Sequence, residues 1–124
     1  MLARFIKITY NKNAMSFLNA ITQDVSQKVQ AILGGRLRKV ILFGSYARGD
    51  FDEESDVDIM VLADVGKDER IFARKLNVVS SDISLQHDMT VCIMLNDKKL
   101  FDERLPILPF YRNVIKDGVE IYAA

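Results

Sequence analysis

The run FGSYARGDFDEESDVDIMVL, residues 43–62, holds the residues best suited to chemistry. Asp56 and Asp58 sit two apart among β-formers, although Asp is depleted from strands. Carboxylates at that spacing project from one side of a strand and repel each other, so water or a metal ion must compensate them. Ten residues upstream stands Gly44-Ser45, after a β-branched run. Gly44 permits a tight turn and close backbone approach, and Ser45 adds a hydroxyl and an exposed N–H. Unpaired N–H groups at such a helix start attract phosphate. Two same-face carboxylates suit Mg²⁺, which takes one or two protein carboxylates together with substrate phosphates. A phosphate cradle beside a carboxylate pair is equipment for metal-assisted attack on a nucleotide phosphate.

The elements that must position these groups are legible as patterns. Leu18, Ile21, Val25, Val29 and Ile32 step by three and four, so an amphipathic helix is expected over 14–33, ended by Gly34-Gly35. KVILFG (39–44) reads as a buried strand, with one helical turn at 45–48 and an acidic loop after it. In VDIMVLA (57–63), Val57, Ile59 and Val61 share one face while Asp58, Met60 and Leu62 share the other. A helix follows from about Asp68, with Phe72, Leu76, Val79 and Ile83 as its apolar stripe. A third strand is expected over 88–95, with Asp88 at its start and pointing away from the helices. KKLFDERL suggests a short helix, Pro109 opens a last one, Gly118 caps it and VEIYA closes as an edge strand. Residues 4–10 alternate weakly as a strand or docked arm. The expectation is one α/β (α+β) domain over 1–124, a small mixed sheet with helices packed on it.

Composition bounds the function. Seventeen basic and seventeen acidic residues cancel, so no basic stripe supports direct nucleic-acid binding. Cys92 is the only cysteine, which excludes an internal disulfide, and its neighbours Val91 and Ile93 suggest a core thiol. The longest apolar runs reach five residues, far short of the roughly twenty a membrane span needs. Without a signal-peptide pattern at the start, a cytoplasmic protein is expected.

Gly44-Ser45, ten residues, then Asp56-Val57-Asp58 resembles the signature of nucleotidyltransferases related to DNA polymerase β. The fuller run Gly44-Ser45-Tyr46-Ala47-Arg48-Gly49, five residues, then Ser55 to Val61 is similar to the minimal nucleotidyltransferase branch. The closing LPFYRNVIKDGVEIYA resembles the tail of small members. The resemblance implies a polymerase β palm-like fold in which Asp56 and Asp58 bind two divalent ions, Mg²⁺ or Mn²⁺, on a nucleoside triphosphate. Gly44 and Ser45 would hold its β- and γ-phosphates. The family's third carboxylate, on a neighbouring strand, maps best to Asp88, with Asp82 and Asp97 as alternatives. The implied reaction is in-line attack of an acceptor hydroxyl on the α-phosphate of ATP, with release of pyrophosphate.

Minimal members commonly pair with a small helical HEPN toxin, so the resemblance implies an antitoxin that adenylylates a tyrosine of that partner. Transfer to a small molecule such as an aminoglycoside is the alternative acceptor. A binding module that neutralises a helical partner without turnover is the alternative class, and an Asp-x-Asp glycosyltransferase is a distant third. Arg48 either contacts phosphate or braces the acidic loop. Asp50, Asp52, Glu53 and Glu54 read as a solvated loop, His87 as structural, and Phe110, Tyr111 and Val114 as helix packing. Homo-oligomerisation is left open.

Overall fold

The computed structural model describes residues 12–124. The expected strand or arm at 4–10 lies outside the described residues. Helix α1 (Lys12–Leu33) buries Leu18, Ile21, Val25 and Val29, and a 3-10 turn at Gly34–Arg36 hands the chain to strand β1 (Leu37–Phe43). A one-turn helix α2 (Ser45–Arg48) follows, then strand β2 (Val57–Ala63), helix α3 (Glu69–His87) and strand β3 (Val91–Asp97). Helices α4 (Lys98–Arg104) and α5 (Pro109–Asp117) precede the closing strand β4 (Val119–Ala123). The sheet order is β3-β2-β1-β4. β1 runs antiparallel to both β2 and β4, while β2 and β3 are parallel.

Both faces of the central strands are covered, and alternation decides which residue faces which layer. Val40, Leu42, Val57, Ile59 and Val61 meet α1 and α3 in the larger core. Ile41, Met60 and Leu62 point the other way, against Phe101 of α4 and Tyr111 and Val114 of α5. Leu37 and Val40 share the first face despite an odd spacing, because the register with β2 shifts between Leu37 and Lys39. One extra residue in a strand flips the alternation at that point. At Gly118, a Cβ would collide with the Val114 carbonyl oxygen and the Ile41 side chain, so the tight return from α5 into edge strand β4 needs glycine.

β3 departs from expectation by three residues. Helix α3 runs on to His87, and Asp88 is its cap in the left-handed conformation (φ 50°, ψ 48°), its N–H bonded to the Ser84 carbonyl. The Met89 N–H reaches the same carbonyl at 3.1 Å. Ser84 Oγ accepts from the Val91 N–H at 2.9 Å, and Ser80 Oγ donates to the Val91 carbonyl. These two serines set where the strand can start. At the far end, Asn96 and Asp97 remain in the ladder, because Asp97 doubles as the N-cap of α4.

Candidate active site

The site forms where β1 ends and β2 begins. Antiparallel pairing sets Phe43 opposite Asp58, so the next residue, Gly44, comes down beside the Asp58 carboxylate. Gly44 has φ 74° and ψ −157°, a region open essentially to glycine alone. A Cβ there would lie 2.5 Å from Asp58 Oδ2. Glycine is therefore required twice, for conformation and for room. Ser45 and Tyr46 open α2, where the first N–H groups have no intrahelical acceptor. Gly49, at φ 85°, closes the turn.

The loop from Asp50 to Ser55 is built rather than merely solvated. Phe51 stacks on Tyr46 with ring centroids 4.4 Å apart. Asp52 Oδ1 accepts from the Glu54 N–H at 2.9 Å, and the Asp52 N–H donates to Ser55 Oγ at 2.9 Å. Arg48 Nε donates to Asp50 at 3.2 Å, so Arg48 does brace this loop. It also lines the cleft, so bracing is not its only position-dependent option.

A cleft of about 360 Å³ opens here. Phe43, Gly44, Ser45, Arg48 and Asp58 form one wall, and Phe110, Asn113, Val114 and Asp117 of α5 form the other. Asp56 is exposed at the entrance to β2 and acts on the cleft through its charge. Burial raises the Asp58 pKa above the usual carboxylate value, the Asp56 charge raises it further, and Arg48 offsets part of this. Partial loss of hydration at Cys92 and burial of Tyr46 likewise raise their pKa values, with Asp56 adding to both shifts. The local field is negative, as a cation site requires.

The donor set fits a divalent cation shared with a bound triphosphate. Among the described residues no cluster of three or more His, Cys, Asp or Glu side chains is arranged to hold a metal. Two carboxylates beside a glycine cradle suit Mg²⁺, whose remaining ligands are ordinarily water and substrate phosphate.

The candidate third acids do not join this pair. Asp88 caps α3 instead of starting β3, because the helix continues to His87 and the strand begins only at Val91. Asp82 is exposed on α3, the helix packed over the opposite face of the sheet from Asp58. Asp97 is buried and committed: its Oδ1 accepts from the N–H groups of Val65 (3.1 Å) and Gly66 (2.8 Å), and its Oδ2 from Leu100 at 3.3 Å. His87 pairs with Asp24 of α1 at 3.1 Å, a tie between helices.

The residue opposite Asp58 on β3 is Cys92. It is exposed, which corrects the expectation of a core thiol. Val91, Ile93 and Leu95 take the helix-covered face as expected, but on the other face α4 and α5 reach only as far as Asn96, which Tyr111 bonds, and leave Cys92 and Met94 open. Phe110 is likewise only partly a packing residue. Tyr111 and Val114 are buried, whereas Phe110 is 45% exposed and meets Phe43 edge-on at 5.7 Å. Sequence reasoning did not connect α5 to the cleft. The available signal was the helical spacing of Phe110, Asn113 and Asp117, which puts all three on one face.

No helix among the described residues is long and apolar enough to cross a membrane. A family described as nucleotidyltransferase domain matches residues 18–121. A Methanocaldococcus jannaschii protein, provisionally named a protein adenylyltransferase, is 36% identical over 88 residues, 71% of this chain and 81% of that one. A solved toxin–antitoxin structure with AMP-PNP aligns with TM-score 0.52 at 22% identity, covering 81% of this chain and 72% of that one. A Sulfolobus solfataricus protein, provisionally described as a nucleotidyltransferase, aligns with TM-score 0.52 at 20% identity, covering 88% and 86%. At such identities the structural likeness speaks to the fold.

Proposed function

The chain belongs to the nucleotidyltransferase domain family and is a nucleotidyltransferase; from that premise we propose that it transfers AMP from ATP to a tyrosine hydroxyl of a small helical HEPN-type toxin, as an antitoxin. The observation that carries this reading is the convergence of Gly44, Ser45, Arg48 and Asp58 on one cleft, with the Gly44 backbone against the Asp58 carboxylate.

In this reading Asp56 and Asp58 hold Mg²⁺ or Mn²⁺ on the triphosphate. A cation held by these two residues would supply polarisation of the phosphates and offset charge on the departing pyrophosphate. The chain's own residues bind and orient. Ser45 offers its hydroxyl and N–H to the terminal phosphates. Arg48 exchanges its exposed pairing with Asp50, which contributes little stability, for a phosphate oxygen. Phe110 lines the opposite wall and meets Phe43 of the near wall edge-on. Held in this way, the α-phosphorus presents the face opposite its bridging oxygen to the acceptor, and orientation supplies much of the rate. The proposed third acid does not include Asp88, whose place is the end of α3.

A protein acceptor is supported by the relative's name and by the surroundings of the cleft. Phe110, Ile107 and Leu108 expose apolar surface beside it, and Met94 does so on the open face of β3. The toxin–antitoxin structure of the same fold supports a toxin as the acceptor. The test is incubation with ATP, Mg²⁺ and a HEPN-type candidate partner, read by intact mass and pyrophosphate release. One or more AMP units on a tyrosine of the partner is the expected result. A stable complex with no adduct and no pyrophosphate would leave neutralisation by binding as the better account.

A further inference from the structure

The outward side of α3 carries three large aliphatic side chains that the fold does not use. Ile71, Val78 and Leu85 are 57%, 61% and 83% exposed. They recur every seven residues, which sets them in one line with only about 20° of drift per repeat. The buried stripe of Leu76, Val79 and Ile83 lies on the opposite side of the helix. Single exposed apolar residues need no explanation, but a row centred on a helix's solvent face marks an interaction surface.

The flanking charges identify what covers it. By helical geometry Lys75 and Asp82 lie along one edge of the row, and Arg74 and Ser81 along the other. Among the described residues none of Arg74, Lys75 and Asp82 takes part in an ion pair. We propose that two copies of this chain associate through α3 as an antiparallel helix pair, with the twofold axis beside Val78. That arrangement sets Val78 against Val78 of the second copy and Ile71 against Leu85 of the second copy.

A twofold axis normal to the plane of two antiparallel helices keeps each edge facing its own counterpart. Lys75 then lies across from Asp82 of the second copy, and Asp82 across from Lys75, so the pairing is self-complementary in charge as well as in shape. A parallel pair would instead bring each edge against the opposite edge at equal height. Lys75 would face Arg74 of the second copy, a like-charge contact that disfavours that orientation. The cleft lies on the other face of the sheet, under α5, so both clefts of the dimer stay open. An interface of one helix from each copy belongs at the small, reversible end of the range, so the dimer is concentration-dependent.

Sedimentation equilibrium of the full chain alone, from low to high micromolar concentration, tests this. The mass should climb from one chain towards two, and Val78→Asp should hold it at one chain with an unchanged circular dichroism spectrum. Lys75→Glu should weaken association a few-fold, and adding Asp82→Lys should restore it. Orientation is read by oxidation in a Cys92→Ser background, which removes the only native cysteine. Val78→Cys should cross-link, Ile71→Cys alone should not, and Ile71→Cys with Leu85→Cys should. A wild-type chain that stays monomeric throughout overturns the proposal. So does a dimer that survives Val78→Asp, or one that cross-links through Ile71→Cys alone.

Discussion

Asp58 and Asp97 occupy opposite ends of the same parallel strand pair, and the chain treats them in opposite ways. Asp58 stands opposite Cys92 where β2 begins, and Asp97 stands opposite Ala63 where β3 ends. Asp97 is only 8% exposed, yet its carboxyl pKa is lowered, first by the Gly66 N–H and then by those of Val65, Leu100 and Lys99, against the cost of burial. Asp58 is pushed up instead, by burial and by Asp56. One carboxylate has its compensation inside the fold and staples the β2–α3 turn to the start of α4. The other is offset only in part, by Arg48, and on the proposed reading takes the rest from a bound cation. Burial depth does not separate structural from functional acids; the source of the compensating positive charge does.

Substituting the uncompensated acid gives the largest effect on activity and the sharpest contrast. Asp58→Asn should reduce AMP transfer on the order of a thousandfold, since on the proposed reading it removes a ligand to the cation that would offset transition-state charge. The same change should raise the metal-free melting temperature by a few degrees, because it relieves the burial of a charge and, after that, its repulsion with Asp56, together worth, after allowance for solvent screening, on the order of 1 kcal/mol. Calorimetry without metal reads the second effect. A lower melting temperature would mean that Asp58 is compensated within the fold after all.

At the compensated end the signs reverse. Asp97→Ala leaves the N–H groups of Val65, Gly66 and Leu100 without their acceptor and should cost about 3 kcal/mol. Denaturant unfolding should show it as a lower midpoint, with ATP affinity of the folded fraction unchanged. Gly44→Ala lies between these cases. It forces a Cβ onto Asp58 Oδ2 and holds a non-glycine residue in a glycine-only conformation, costing roughly 2 kcal/mol. Unlike Asp97→Ala, it should also lower nucleotide affinity. Ser45→Ala should lower affinity alone, by the weight of one hydrogen bond, about 1 kcal/mol. Equal unfolding midpoints for the Gly44 and Ser45 variants would remove the close-approach argument.

The uncompensated end was legible in the sequence because its geometry is local. Alternation in β2 assigned Val57, Ile59 and Val61 to one face and Asp58, Met60 and Leu62 to the other, and one helical turn was expected at 45–48 in the turn region after β1. What failed was non-local. Asp88 satisfies a strand alternation as well as it satisfies a helix cap, and the choice rests on Ser80 and Ser84 holding Val91 across the turn. Cys92 sits between apolar neighbours in either case, and its exposure depends on which strands α4 and α5 cover. The Asp97 contacts to Val65 and Gly66 span thirty-two and thirty-one residues, beyond any periodicity. The mixed sheet and its helices were predictable; the depth and company of single acids were not.

The smallest effect is the pH dependence, and it separates the two acids by sign alone. Asp97 has a folded pKa below its unfolded value, so the unfolded chain binds more protons around and below pH 4. Its contribution is present above that range and is lost as pH falls through the folded pKa. Asp24 acts in the same sense: burial raises it, but the Lys28 and His87 hydrogen bonds together lower it further than burial lifts it. Asp58 has a folded pKa above its unfolded value, so the native chain binds more protons around and above pH 4. Its contribution is present below the unfolded pKa and is lost as pH rises through the folded one. Melting temperatures of the metal-free chain between about pH 3 and about pH 7 should therefore climb steeply from the acid end and then flatten early. Asp97→Asn should reduce the acid-side climb, and Asp58→Asn should lift the flattened side. Saturating Mg²⁺ with ATP should reverse the Asp58 difference, since on the proposed reading the wild-type chain gains ligand stabilisation that Asp58→Asn forfeits, and should leave the Asp97 difference in place. If the two substitutions tilt the curve in the same direction, the contrast between the two ends of the strand pair does not hold.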